Sequence, residues 1–445
     1  MLTDHRDAPI TGATPAALDR FETAIAQFNC YRDDPVATLD GAIAESPDFA
    51  MAQIAKGYLL VGATEKDLVP EAARLAERVG GLALNERERA HAGALQAFVR
   101  GEMHEASRRL DRILADDPRD IVALQVGHLF DFYRGDSRNL RDRVGRALPE
   151  WSADLPGYHA VLGMYAFGLE ECADYRRAER YGREAVALNP HDGWAHHAVA
   201  HVMEMEGRAA DGLGWLTEGS ARWSDRSFFA VHNWWHLALF RLEQDDVAGV
   251  LALYDEAVRG GRSSVVLDMI DASALLWRLH LRGIDVGARW QEIADAWSPR
   301  LTDGHYAFND VHALMAMLGA GRLGDADRLI GTMQAAASGA GANRHMTREV
   351  GLPLAHGLMS FHRAQYEAAA DALLAVRPIA HRFGGSHAQR DVIDLTLIEA
   401  AHRGRQPGLV RSLANERLQH RPDSPLARRY RAAAMAAGAA AGTPR

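Results

Sequence analysis

Along most of the chain apolar residues recur at every third or fourth position, and the runs are broken by proline or glycine. "PVATLDGAIAESPDFAMAQIAKGYLL", "HEASRRLDRILADDPRDIVALQVGHLF" and "YRRAERYGREAVALNPHDGWAHHAVAHVMEM" all carry this spacing, which predicts amphipathic helices. No stretch alternates apolar and polar residues convincingly in the manner of a half-buried strand. The breakers are themselves periodic, with Pro47, Pro118 and Pro190 standing 71 and 72 residues apart. Half of that interval, about 36 residues, is the length of a repeated helix pair.

Inside the repeats, "EASRRLDRILADDP" and "YRRAERYGREAVALNP" place Ala106 and Ala178 twelve residues before the closing proline. A small residue there and proline at the end, with the bulky Leu110 four after Ala106 in the first segment, resemble the second helix of a tetratricopeptide repeat (TPR). Gly207-Arg208, Asp245-Asp246 and Gly321-Arg322 then read as turns within helix pairs, and the segments before them as first helices, which line the concave groove of a TPR superhelix. The pattern predicts an all-α protein, a TPR-like α-solenoid of about six to eight stacked antiparallel helix pairs. The solenoid is expected to run as one domain over residues 21–425, after an N-terminal extension at 1–20. Residues 426–445 form an Ala/Gly-rich tail, whose end "AAAMAAGAAAGTPR" is expected to fray because it offers little bulky apolar surface.

Composition narrows the function. The chain starts polar and acidic, and no run approaches the roughly 18 uninterrupted apolar residues of a membrane span, so a cytoplasmic protein with no membrane partner is expected. A net charge of −9 and scattered basic residues, nearly all of them arginine, argue against nucleic acid as a partner. Cys30 and Cys172 are far apart and in no CxxC arrangement, so neither a disulfide framework nor a thiolate metal site is predicted. Any metal site must come from histidine and carboxylate.

Those residue types are concentrated. Six of the 21 histidines lie between His191 and His236. His197 and His201 form one His-x-x-x-His, and His232 and His236 form another, each pair offset by 35 residues from the other. His197, His201 and Glu204 fall at i, i+4 and i+7 of a first helix and share a face. His232 and His236 occupy the matching stretch of the next first helix, so stacking should set the pairs side by side. Asp310 and His312 fall at a similar level of a later first helix, and "LDMIDASALLWRLHLRG" adds Asp268 and Asp271. Imidazole and carboxylate are the ligands of zinc, iron, manganese and copper. His-x-x-x-His arises by chance in a His-rich chain, but burying this many titratable groups without a partner is costly, which favours a metal. The candidate ligands are His197, His201, Glu204, His232, His236 and His312, with Asp268, Asp271 and Asp310 as further ligands or outer partners. They are too many for one tetrahedral ion, so a dinuclear site or unequal roles is expected. Tyr158, His159, Tyr165, Trp194, Trp235 and Arg390 are candidates for lining a substrate pocket, though packing explains the aromatics as well. Arg390 follows Gly384-Gly385-Ser386, a weak anion cradle that an ordinary helix cap also explains.

The blocks "YHAVLGMYAFGLEE", "HAVAHVMEMEGR", "HNWWHLALF", "LDMIDASALLWRL", "FNDVHALMA", "GLPL" and "GGSHAQRD" follow in an order that resembles the tetratricopeptide repeat protein 38 family over about residues 20 to 420. The resemblance implies an all-helical TPR-like superhelix and supplies no reaction. Two functions fit the residues. One is a metal-dependent enzyme, hydrolytic or oxidative, acting on a small molecule in the groove. The other is a scaffold that binds a peptide there without catalysis. The display of His, Asp, Glu and Trp, rather than Lys, Arg and Asn, favours the enzyme.

Overall fold

The periodic apolar positions fold into helices separated by short turns, and helix pairs account for nearly the whole of the computed structural model. It describes residues 2–441, with side chains to residue 437. Eleven antiparallel pairs can be followed among the described residues, from Pro15–Cys30 with Pro35–Glu45 to His387–Arg403 with Pro407–His420. That is more than the six to eight expected, although the period of about 36 residues, carried over residues 15–420, already allows eleven. The strands are two residues each, Leu2–Thr3 paired antiparallel with Pro9–Ile10. A buried Arg6 donates to both oxygens of Glu22 at 2.9 and 2.8 Å and ties this ribbon to the first helix. The last helix, Pro425–Ala441, includes much of the tail expected to fray. Alanine favours helix strongly, and Leu426, Ala427, Tyr430 and Ala434 are buried and anchor it. Residues 442–445 lie outside the described residues.

The turns predicted within the pairs are found. Gly207, Asp245 and Gly321 take φ of 72°, 60° and 70°. In each, the next residue's N–H reaches back to a carbonyl of the preceding helix: Arg208 to Met203, Asp246 to Arg241 and Arg322 to Met317, at 2.8 to 2.9 Å. This is the Schellman closure, in which a left-handed residue satisfies helix carbonyls that would otherwise be orphaned. Ala106 and Ala178 are fully buried, as their place in the TPR pattern requires.

The chain forms two compact units. The first comprises Met1–Val202, Glu218–Asn233 and Ala340–Ala342, and the second Met203–Thr217, Trp234–Gly339 and Asn343–Arg445. Each is a stack of TPR-like antiparallel helix pairs in which helices pack chiefly on their sequence neighbours. The helices used below are α1 (Tyr158–Glu170), α2 (Gly193–Met205), α3 (Ala230–Glu243), α4 (Val266–Leu281), α5 (Ala307–Gly319) and α6 (His387–Arg403).

In the first unit α1 lies against the helix Ser137–Ala147 so closely that a Cβ on Gly168 would stand 2.6 Å from the Arg141 Cα and 2.7 Å from the Leu140 carbonyl oxygen. Both are backbone atoms and cannot swing away. Gly168→Ala is therefore expected to cost about 1–3 kcal/mol, read as a lowered denaturant midpoint. An unchanged midpoint would mean that the two helices part at no cost.

Candidate metal centre

Three imidazoles meet within the first unit. His197 and His201 stand one turn apart on α2, and His232 lies near the start of α3. Each offers a ring nitrogen within 4.8 Å of the others, and the Nε2 atoms of His197 and His232 are 3.1 Å apart. Two nitrogens bound at about 2.0–2.1 Å to one tetrahedral ion stand about 3.3 Å apart, so this spacing suits shared coordination as well as an N–H···N hydrogen bond between neutral rings. His197 and His201 are nearly inaccessible, at 2% and 0% exposure. Phe167 of α1 forms one wall, with its ring 5.2 Å from both of theirs.

His201 also belongs to a second group. Glu170 and Glu171, at the end of α1, offer carboxylate oxygens that lie with a nitrogen of His201 inside the same 4.8 Å limit. Glu170 Oε2 is 3.4 Å from His201 Nδ1, and both side chains are fully buried. Sequence reasoning missed these two acids. They are the last letters of "AFGLEE", at the end of a helix read only for its Tyr and His.

In the second unit, His236 stands one turn beyond His232 along α3, and its Nδ1 is 3.0 Å from Glu204 Oε2. Arg421 lies 3.7 Å from the other oxygen of Glu204. The two units thus use one device. A carboxylate at or near the end of one first helix meets Nδ1 of the second histidine in the next, over 31 residues for Glu170 and His201 and 32 for Glu204 and His236. A carboxylate on one ring nitrogen fixes the tautomer and turns the other nitrogen outward as a ligand. Glu204, read from spacing as a ligand, has the position of such an outer partner.

The remaining candidates lie as follows. His312 on α5 donates Nδ1–H to the Phe308 carbonyl at 2.8 Å, and burial lowers its pKa to about 4, keeping it neutral. Asp310 and Asp271 are buried and Asp268 is half-buried, on α5 and α4. None of these four, nor Glu204, belongs to either metal-capable group among the described residues. Trp194 stacks on Tyr31 at 5.4 Å, and Trp235 is fully buried beneath the Arg278 guanidinium, 5.2 Å from its ring. Tyr165 accepts a hydrogen bond from Arg177 at 2.7 Å. Tyr158 packs beside Leu162, Ala185 and Ala195. Arg390 turns back onto the Gly385 carbonyl. Ser386 and Gln389 close a capping box at the start of α6, which accounts for the glycine-rich turn. His159 Nδ1 is 2.7 Å from Asp192 Oδ2.

No family model matches the chain. Among the described residues no helix is long and apolar enough to cross a membrane. Solved structures similar to it include a human IFIT1 dimer with m7Gppp-AAAA, at 14% identity and a TM-score of 0.43, covering 95% of this chain and 94% of that one. The APC/C hetero-tetramer Cut9–Hcn1 gives 14% identity and a TM-score of 0.42 over 90% of this chain and 72% of that one. Yeast Tom70 gives 10% identity and 0.37 over 92% and 85%.

Proposed function

We propose that the protein is a metal-dependent enzyme acting on a small molecule, with a transition metal bound by histidines of α2 and α3. The observation that carries this reading is the approach of His197 and His232 to 3.1 Å beside a buried His201. Imidazoles packed so closely repel one another once protonated, and a divalent cation relieves both that repulsion and their desolvation. His197, His201 and His232 are the proposed ligands. Glu170 and Glu171 orient His201 or hold a second ion with it, and Glu204 orients His236. Zinc, iron, manganese and copper all suit this donor set. The ion supplies Lewis acidity for hydrolysis, or a redox centre if it is iron or copper. We place the protein in the cytoplasm and in the tetratricopeptide repeat protein 38 family, on the order of its sequence blocks. Its acidic charge supports a partner other than nucleic acid.

Protein purified without a histidine tag is expected to carry near-stoichiometric transition metal by elemental analysis, and acid should release it, because imidazole binds metal only without its proton. Protein that stays metal-free after reconstitution with zinc, iron(II), manganese and copper would instead support a scaffold that binds a peptide.

A further inference from the structure

Asp192 sits just before α2, where its Oδ1 accepts the Ala195 N–H at 2.9 Å and caps the helix. Its Oδ2 lies 2.7 Å from His159 Nδ1, with the carboxylate fully buried. The same device occurs earlier in the first unit. Asp120 caps the helix Ile121–Tyr133 and takes His91 Nε2 at 2.7 Å. In that copy the other ring nitrogen faces the Tyr58 hydroxyl at 3.1 Å, and His91 and Asp120 are wholly enclosed. Such a Tyr–His–Asp chain is structural.

The later copy differs in two respects that both favour chemistry. The other ring nitrogen, Nε2 of His159, faces the Asn189 Nδ2 at 3.2 Å and the thiol of Cys30 at 3.9 Å, and the His159 side chain is 17% exposed. Cys30 itself is 9% exposed, at the end of the helix Pro15–Cys30. Burial alone would lower the imidazole pKa, but the bonds to Asp192 and Cys30 outweigh it and raise the value to about 10. Asn189 completes the arrangement. Its Oδ1 accepts the His191 N–H, which turns Nδ2 to within 3.2 Å of the sulfur.

We propose that Cys30, His159 and Asp192 form a nucleophilic triad that takes the acyl group of small esters, with Asn189 as the donor to the developing oxyanion. A nucleophile, a base within reach and a carboxylate that fixes the base's tautomer are the parts such chemistry needs. The approach of 3.9 Å is longer than a finished hydrogen bond, as is common before substrate binds. In the reaction, Sγ bonds to the ester carbonyl carbon and the ester C–O bond breaks. The proton shared by Cys30 and His159 rests on His159 Nε2 as Sγ attacks and passes from there to the departing oxygen, leaving a neutral imidazole. Thiol and ester thus become thioester and alcohol, with no oxidant or reductant. The site is independent of the metal reading, since none of these residues belongs to the metal-capable groups.

The test uses p-nitrophenyl acetate on the full chain after chelation. The expected result is one equivalent of nitrophenol released in a burst, with the acetyl group mapped to Cys30 by peptide mass spectrometry. Cys30→Ser should abolish the burst, and His159→Gln should slow it about 100-fold or more. Asp192→Asn should slow it as well, and it keeps a good helix cap, so a folding defect in one variant does not decide the outcome. Cys172→Ser should leave it unchanged. Acetylation confined to Lys56 and Lys66, or wild-type rates in folded His159→Gln and Asp192→Asn, would overturn the proposal and make His159–Asp192 a second structural copy of His91–Asp120.

Discussion

His201→Ala is expected to strip the metal from the protein and to erase the thermal stabilisation that metal confers. His201 is the one histidine common to both metal-capable groups, the imidazoles of α2 and α3 and the acids at the end of α1. Its ring packs 4.3 Å from that of His197 and is fully buried, so no solvent-exposed group can take its place. Changing residues that merely orient a ligand commonly lowers metal affinity about 10- to 100-fold, and loss of the ligand itself should cost at least as much. An ion held only by the folded state, at a hundred times its dissociation constant, contributes about 2.7 kcal/mol to folding. That contribution should vanish. Truncating a buried side chain has its own cost, so the decisive comparison is between loaded and chelated forms of each protein. Wild type should melt higher when loaded, and His201→Ala should melt alike in both states. His345→Ala, at a side chain that is 58% exposed and far from the site in sequence, should keep the wild-type difference. A His201→Ala protein that retains full metal content would remove His201 from the site.

How far the sequence reaches can be judged from particular residues. Gly207, Asp245 and Gly321 could be placed in turns because a left-handed residue between two amphipathic runs is a local event, decided by a few neighbouring atoms. The i, i+4 histidines could be placed on a common face for the same reason, since helix geometry alone fixes it. Glu170 could not be found that way. Its nearness to His201 depends on how one helix stacks on the next, and only the recurrence of a 31- or 32-residue offset between a carboxylate and a histidine would have exposed it. Cys30 lies 129 residues from His159, and a lone cysteine outside any CxxC motif carries no signal of its partner. His312 shows the opposite failure. Its spacing puts it near the level of the other histidines, yet the ring donates to the carbonyl one turn back on its own helix, a choice that periodicity does not reveal.

Asp131→Asn, in the helix Ile121–Tyr133, should be among the most destabilising single substitutions in the first unit. Asp131 is fully buried and accepts from Arg143 Nε at 2.8 Å and Nη2 at 3.1 Å, Arg134 Nη2 at 2.7 Å, Asn139 Nδ2 at 3.0 Å and Ser107 Oγ at 3.0 Å. Arg143 is fully buried with it, and a Cβ on Gly127 would come within 2.6 Å of its Nε, so the guanidinium has no room to move. Neutralising the acid leaves that cation enclosed without its principal counter-charge, a change that typically costs about 3–5 kcal/mol. The pH dependence follows from the same contacts. Burial would raise the Asp131 pKa, but the charge and hydrogen bonds of Arg143, followed by those of Arg134, prevail and lower it. A carboxylate whose folded pKa lies below its unfolded one stabilises the fold fully above the unfolded value, about 3.9, and loses that contribution as pH falls toward the folded value. Urea denaturation should therefore show a gap of several kcal/mol between wild type and Asp131→Asn at neutral pH, narrowing below about pH 4. A gap that stays constant into acid would mean that the pair's charge is not what stabilises this unit. Because Asp131 touches neither His201 nor Glu170, the fraction of variant that remains folded at neutral pH should bind metal with wild-type stoichiometry, which separates loss of the fold from loss of the site.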